Sequence, residues 1–251
     1  MKFGIIGFGN LGKAYAAALV CTGDVPANDI YICDSSCTAL ALAEKESYHI
    51  YTPEDINKMI RETDVITIVV KGYVFEELAA TIDKNALCGK FFISLMAGMS
   101  FEKVYSLIGE VNLARAMPSL AIAVNDGVMP YTKVPPGVAE LFNKFGYAFE
   151  VEPDEIDKAM AFASCGLGFA AHLMDAFAAA GEAMGFSPEI ASQITALTFK
   201  NAGNLGNFRE TVSSVATPGG ATEQGIKHME KCNVHGIVAT AMQKAKDRVS
   251  G

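Results

Sequence analysis

Phe3-Gly4-Ile5-Ile6-Gly7-Phe8-Gly9-Asn10-Leu11-Gly12 decides the fold of this 251-residue chain. A short apolar run enters a Gly-x-Gly-x-x-Gly turn, and a helical pattern follows. This strand, turn and helix order is the one a dinucleotide-binding fingerprint requires. Gly7 permits the tight turn, Gly9 lets the backbone approach a pyrophosphate, and Gly12 lets the helix pack closely, while the helix start offers unpaired N–H groups to the anion. Gly7, Phe8, Gly9, Asn10, Leu11 and Gly12 are therefore expected to hold a dinucleotide; the alternative is a purely structural turn in an α/β protein. A second apolar run, Ile30 to Cys33, ends at Asp34, which lies 22 residues after Gly12. An acid there accepts the hydroxyls of an adenosine ribose, which favours NAD(H). Ser35 and Ser36 offer hydroxyls to a 2′-phosphate instead, but no Arg stands beside them, so NADP(H) is the second choice. Asp34 has a competing reading as the N-cap of the next helix.

Outward from this stretch, short apolar runs alternate with helical patterns. Phe3–Ile6, Ile30–Cys33, Val65–Val70, Phe91–Leu95 and Val111–Ala116 read as buried strands. Leu11–Val20, Thr38–Lys45, Pro53–Ile60, Val74–Ile82 and Phe101–Leu107 read as crossover helices. Such alternation predicts βαβ units on a parallel sheet. Val128–Thr132 and Tyr147–Val151 are further strands without an assigned orientation. After Pro153 the pattern becomes long, Ala-rich and strand-poor: helices are expected over Asp154–Phe186 and Pro188–Leu205, and from about Thr222 toward the C-terminus. The fold class is thus α/β, with a Rossmann-like dinucleotide-binding domain over residues 1–152 and an all-helical domain over 153–251. Small residues and few polar positions in the second part suggest faces buried against a second copy; a self-contained helical bundle is the alternative.

Twenty Lys and Arg against 28 Asp and Glu leave a net charge of −8, with no basic run to neutralise phosphates, which argues against a nucleic-acid partner. The chain opens without a basic start and an apolar stretch, so a cytoplasmic location is expected. Ala159–Gly181 is the most membrane-like window but carries His172 and Asp175, and it reads as a buried helix rather than a membrane span. The six Cys (21, 33, 37, 88, 165 and 232) contain no Cys-x-x-Cys and read as free thiols. His228, Cys232 and His235 share helical spacing, but three candidates without a second cluster do not make a zinc site, so no metal is expected.

On GFGNLGKA near the start, Val69-Val70-Lys71, Ile93–Ser100, Arg115-Ala116-Met117-Pro118 and Val215-Ala216-Thr217-Pro218-Gly219-Gly220-Ala221-Thr222, the chain resembles the pyrroline-5-carboxylate reductase family nearly end to end. The resemblance implies reduction of a cyclic imine to L-proline with NAD(P)H, the last step of proline biosynthesis. It implies a helical domain that dimerises by interlocking helices, and rings of such dimers. It puts Val70, Lys71, Ala97 and Gly98 along the cofactor, and Met117 and Pro118 beside the nicotinamide. It also puts Gly219, Gly220, Ala221 and Thr222 around the substrate carboxylate, with Cys165 and Gly166 in the substrate wall and Thr222 as the catalytic hydroxyl facing the imine nitrogen. Two segments depart from the family's pattern. Ser119-Leu120-Ala121 replace Asn-Thr-Pro, and Met160 to Phe169 replace a hydroxyl-rich run, which makes the substrate side more apolar.

The Pro218 loop has a physical reading of its own: a Pro-Gly-Gly turn ahead of a helix presents N–H groups that attract a carboxylate. An ordinary helix entry with Thr222 as cap is the competing reading. An iminium carbon is already electrophilic, so holding donor and acceptor together can suffice without a dedicated acid. His172 and Asp175 are expected to serve structure first. A reductase of another imine or carbonyl acid, and a non-catalytic dinucleotide-binding protein, are the competing functional readings.

Overall fold

Four consecutive residues in each of Phe3–Ile6, Ile30–Cys33 and Val65–Ile68 are buried, which only a strand covered on both faces achieves. The computed structural model describes residues 1–250. Its elements run β1 (Phe3–Ile6), α1 (Asn10–Cys21), β2 (Ile30–Cys33), α2 (Cys37–Lys45), β3 (His49–Tyr51), α3 (Ile56–Glu62), β4 (Val65–Ile68), α4 (Gly72–Ala79), β5 (Phe91–Ser94), α5 (Phe101–Ile108) and β6 (Asn112–Arg115). These are followed by β7 (Gly127–Tyr131), α6 (Pro136–Asn143), β8 (Gly146–Glu150) and five helices: α7 (Ile156–Ala183), α8 (Pro188–Leu205), α9 (Phe208–Val215), α10 (Ala221–Lys231) and α11 (Val234–Ser250). The first six strands form one parallel sheet in the order β3-β2-β1-β4-β5-β6. The strand order reverses beside β1, and the crevice of such sheets opens there, at the strands' C-terminal ends.

The period of two sorts the strand side chains into two apolar cores. Phe3, Ile5, Ile30 and Ile32 join the core that includes Tyr15, Leu19 and Phe142. Ile6, Tyr31, Ile66 and Ile68 join the core that includes Phe75, Phe92 and Ile108. Side-chain caps start several helices: the Ser36 hydroxyl accepts from Ala39 N–H at α2 and the Ser100 hydroxyl from Lys103 N–H at α5.

Several expectations need correction. β3 was not anticipated; its three residues are largely exposed, and it exists through its pairing with β2. β7 and β8 lie parallel to each other in a separate sheet, joined by α6, whose Pro136 in the first turn reads locally as loop. The C-terminal helix is two helices, α10 and α11, broken where Asn233 takes φ 56°. α9 was also not anticipated.

The chain forms two compact units, Met1–Ser164 with Lys246 onward, and Cys165–Ala245. The division falls inside α7 rather than at the composition change near Pro153, because Ile156, Met160 and Ala161 are buried within the first unit. Within one chain the buried residues of α7 end at Ala161, and His172 and Asp175 are exposed, so any further burial of this helix requires a second copy. By length and composition this helix could cross a membrane. α8 buries Ala191 and Thr195, and α9 and α10 bury nothing, while Phe177, Phe186, Ile194, Leu197 and Phe208 stand exposed. A self-contained bundle would cover such residues.

Candidate active site

The glycine loop is built from backbone approaches that a side chain would block. Gly7 takes φ +103°, and a Cβ there would lie 2.8 Å from Val70 Cγ1 and 3.0 Å from the Val69 carbonyl carbon. A Cβ on Gly12 would collide with the Gly7 carbonyl oxygen and sit 3.0 Å from its carbon, so the third glycine seats α1 on the turn itself. Gly9 differs, because nothing lies within 4 Å of its Cβ position. It is the N-cap of α1, whose first turn has neither a side-chain cap nor an acidic residue. The orphan N–H groups at the start of the 12-residue helix thus lie beside an open Gly9 position, which suits a pyrophosphate.

Asp34 closes this loop from the neighbouring strand. One carboxylate oxygen accepts from Phe8 N–H at 2.6 Å and the other from Ser36 N–H at 2.8 Å. Asp34 is not the N-cap of α2, since Ser36 takes that position. Its carboxylate is fixed in orientation while each oxygen retains a further lone pair. Asp34, Ser35, Cys33, Ile6 and Val70 line one small cavity. Burial pushes the Cys33 thiol up to about 12, with the Asp34 carboxylate adding to the shift. A larger cavity, about 660 Å³, lies by Lys84, Cys88, Lys90 and Asn112 at the N-terminal ends of β5 and β6, the wrong end of a parallel sheet for its ligand.

The other expected cofactor residues lie at the C-terminal ends of the following strands. Lys71 is the exposed N-cap of α4. Ala97 and Gly98 are exposed after β5, Gly98 at φ +71° with the Val249 carbonyl oxygen 3.3 Å from its Cβ position. Met117 and Pro118 are buried after β6. Met117 donates its N–H to Pro130 and its carbonyl accepts from the Ser164 hydroxyl at 2.6 Å. Ser119 turns inward: its hydroxyl accepts from Val128 N–H and its own N–H donates to the Val128 carbonyl, leaving Leu120 exposed beside it. Arg115, which is 4% exposed, pairs with Asp157 of α7 at 2.7 Å. No short-range spacing in the sequence signals Ser164 or Asp157, whose partners lie 47 and 42 residues away.

In the second unit, Gly219 takes φ +75°, and Gly220 is a glycine because a Cβ would lie 2.6 Å from the Thr217 hydroxyl. Gly220, not Thr222, is the N-cap of α10, and it supplies no side chain. The N–H groups of Ala221, Thr222 and Glu223 therefore have no helical partner, and Thr222 is exposed. The Gly219 N–H is not free: it donates to Glu223 Oε2 at 3.0 Å, and that carboxylate also pairs with Lys227 at 3.0 Å. The Lys227 bond, then the Gly219 bond, hold the Glu223 carboxyl below its ordinary range. Glu223 went unremarked in the sequence, although an acid three residues after an N-cap is a familiar helix-start signal. Cys165 and Gly166 follow Ser164 on α7, half-buried, and burial raises the Cys165 thiol. His228 and Cys232 lie 3.7 Å apart, but among the described residues no group of three His, Cys, Asp or Glu could hold a metal.

Residues 153–251 match the family described as pyrroline-5-carboxylate reductase dimerisation, and residues 2–98 match that described as NADP oxidoreductase, coenzyme F420-dependent. A pyrroline-5-carboxylate reductase of Aquifex aeolicus is 29% identical over 99% of this chain and 96% of its own length. In sequence the chain is similar to pyrroline-5-carboxylate reductases over nearly its whole length. A Plasmodium falciparum pyrroline carboxylate reductase solved with NADP bound superposes at a TM-score of 0.89, with 22% identity, 100% of this chain and 97% of that one covered. The Streptococcus pyogenes 1-pyrroline-5-carboxylate reductase gives 0.87, with 23% identity over 100% and 98%. The match to a dimerisation family supports a homodimer, in keeping with the apolar residues left exposed on α7 to α9, and the match to an NADP oxidoreductase family supports a nicotinamide dinucleotide as cofactor.

Proposed function

We propose that this chain reduces pyrroline-5-carboxylate, a cyclic imine, to L-proline. The observation that carries this reading is the second open helix start: Ala221, Thr222 and Glu223 N–H and the Thr222 hydroxyl, behind a Pro-Gly-Gly turn, in the segment that matches the pyrroline-5-carboxylate reductase dimerisation family. A nicotinamide dinucleotide supplies the hydride that the imine carbon receives. The chain's own work is positional. Gly7 to Gly12 and the start of α1 bind the pyrophosphate, Val70, Lys71, Ala97 and Gly98 border the cofactor, and Met117 and Pro118 limit the nicotinamide end. The α10 start takes the substrate carboxylate, with Cys165 and Gly166 as its wall. Thr222 fixes the imine nitrogen by a hydrogen bond, so that the carbon next to it is presented in one orientation.

Asp34 supports NAD(H) over NADP(H). Its carboxylate is locked by Phe8 and Ser36 N–H groups in an orientation suited to ribose hydroxyls, and a 2′-phosphate beside it would meet like charge. We assign cofactor binding to residues 1–152 and dimerisation and substrate binding to residues 153–251, the segment that matches the dimerisation family, of which residues 153–164 pack with the first unit. We place the enzyme in the cytoplasm, with its dimers assembling into rings; light scattering reads that mass. The deciding assay mixes purified protein with pyrroline-5-carboxylate and follows loss of NADH, then NADPH, by absorbance. Rapid oxidation of NADH is expected. No oxidation of either, in protein shown to bind the cofactor, would overturn the reading.

A further inference from the structure

The start of α10 already contains a carboxylate of its own. Of the backbone donors in the Gly219 to Glu223 turn, Gly219 gives its N–H to Glu223 Oε2 at 3.0 Å and Gly220 gives its N–H to the Thr217 carbonyl at 2.9 Å. Only Ala221, Thr222 and Glu223 keep theirs. The Glu223 side chain, 28% exposed, leans back over the turn and reaches Lys227 one helical turn on, also at 3.0 Å. Lys227 neutralises part of this charge at the same oxygen, Oε2. The negative charge therefore lies within hydrogen-bond reach of the very turn that would receive an anion.

From this we infer that Glu223 is a specificity-determining residue that weakens the site's preference for a carboxylate and admits carboxylate-free cyclic imines such as 1-pyrroline. The inference rests on the proposed role of the Pro218 to Thr222 turn as the substrate's anchor. A substrate carboxylate bound to the remaining N–H groups shares one helix start with Glu223, and like charges that close repel even in a partly solvated site. A carboxylate-free iminium carries only positive charge and feels attraction instead. Glu223 contributes no atom to the reacting bond; it acts on which substrate is held.

The test measures kcat/KM for pyrroline-5-carboxylate and for 1-pyrroline, under saturating cofactor, in the wild-type chain, Glu223→Gln and Lys227→Met. Glutamine retains an acceptor for the Gly219 N–H but no charge. Glu223→Gln is expected to shift the ratio about fivefold toward the carboxylate substrate, chiefly through KM, and Lys227→Met to shift it the opposite way by about twofold or more. Opposite signs from neighbouring residues are not the signature of general damage to the helix start. A ratio that stays within about twofold of wild type in Glu223→Gln, with both imines still reduced, overturns the role of Glu223 and leaves the proposed function standing. Failure of the wild-type chain to reduce either imine overturns both.

Discussion

Replacing Gly9 by alanine adds one methyl group where the chain itself leaves room, since nothing lies within 4 Å of the Cβ position. The backbone there, φ −72° and ψ −164°, is open to any L residue. Alanine is a poorer N-cap than glycine, a loss of at most about 1 kcal/mol, so Tm should fall by no more than about 4 °C. The bound anion responds differently. A phosphate on the α1 N–H groups shares the space that the methyl fills, and it must retreat from at least one charge-assisted hydrogen bond worth about 1.5–3 kcal/mol. The Kd for NADH or NADPH should rise at least about tenfold and by as much as about a hundredfold. Gly12→Ala is the internal control. Its methyl collides with the Gly7 carbonyl, so it strains the fold by about 1–3 kcal/mol and lowers Tm by roughly 2–12 °C, besides impairing binding. Fluorescence titration of the reduced cofactor and thermal unfolding followed by circular dichroism separate the two effects. If Gly9→Ala binds cofactor within about twofold of wild type, the pyrophosphate does not lie on this loop and the reasoning from open space is wrong.

Further outcomes follow from the same geometry. Asp34→Ala removes the acceptor of the Phe8 and Ser36 N–H groups; it should weaken NADH about tenfold and move the NADPH to NADH preference toward NADPH, read from the two kcat/KM values. Thr222→Ala should lower kcat/KM for pyrroline-5-carboxylate by about tenfold with the cofactor Kd unchanged, and unaltered kinetics would remove Thr222 from the site. Asp157→Asn leaves the Arg115 guanidinium, 4% exposed, without its counter-charge; chemical denaturation should show a loss of about 3 kcal/mol, since Asp157 keeps a quarter of its surface in water. Because burial pushes the Cys33 thiol up to about 12, it stays protonated at mildly alkaline pH, and alkylation read by mass spectrometry should modify the exposed Cys37 and Cys88 while sparing Cys33.

Those residues divide by how their positions are specified. Gly7, Gly9 and Gly12 were legible because a turn's backbone demands are local, and the apolar runs of β1, β2, β4 and β5 because both faces of each strand are covered. β3 was not, since three residues with little burial carry no periodicity and owe their conformation to β2. The spacing of Asp34 was readable, but its bond to Phe8 N–H joins residues 26 apart, and that of Arg115 to Asp157 joins residues 42 apart. The length of α7 followed from composition, whereas its exposure did not: apolar residues predict burial without saying which chain does the burying. Glu223 was legible in principle from its place three residues after the N-cap, and its double engagement with Gly219 and Lys227 only in three dimensions.

The division of the chain has a consequence for how it folds. The first unit is left at Ser164 and rejoined at Lys246, and the Val249 carbonyl closes against the Gly98 turn. The helices from Cys165 to Ala245 are in effect an insertion held by the first unit at both ends. Docking the C-terminal segment before those helices are ordered would close a long flexible loop, an entropic cost of roughly 4 kcal/mol. Since the helices have little core of their own within one chain, the C-terminal turn should settle against Gly98 only after two chains have met. Completion of the first unit is then expected to depend on chain concentration.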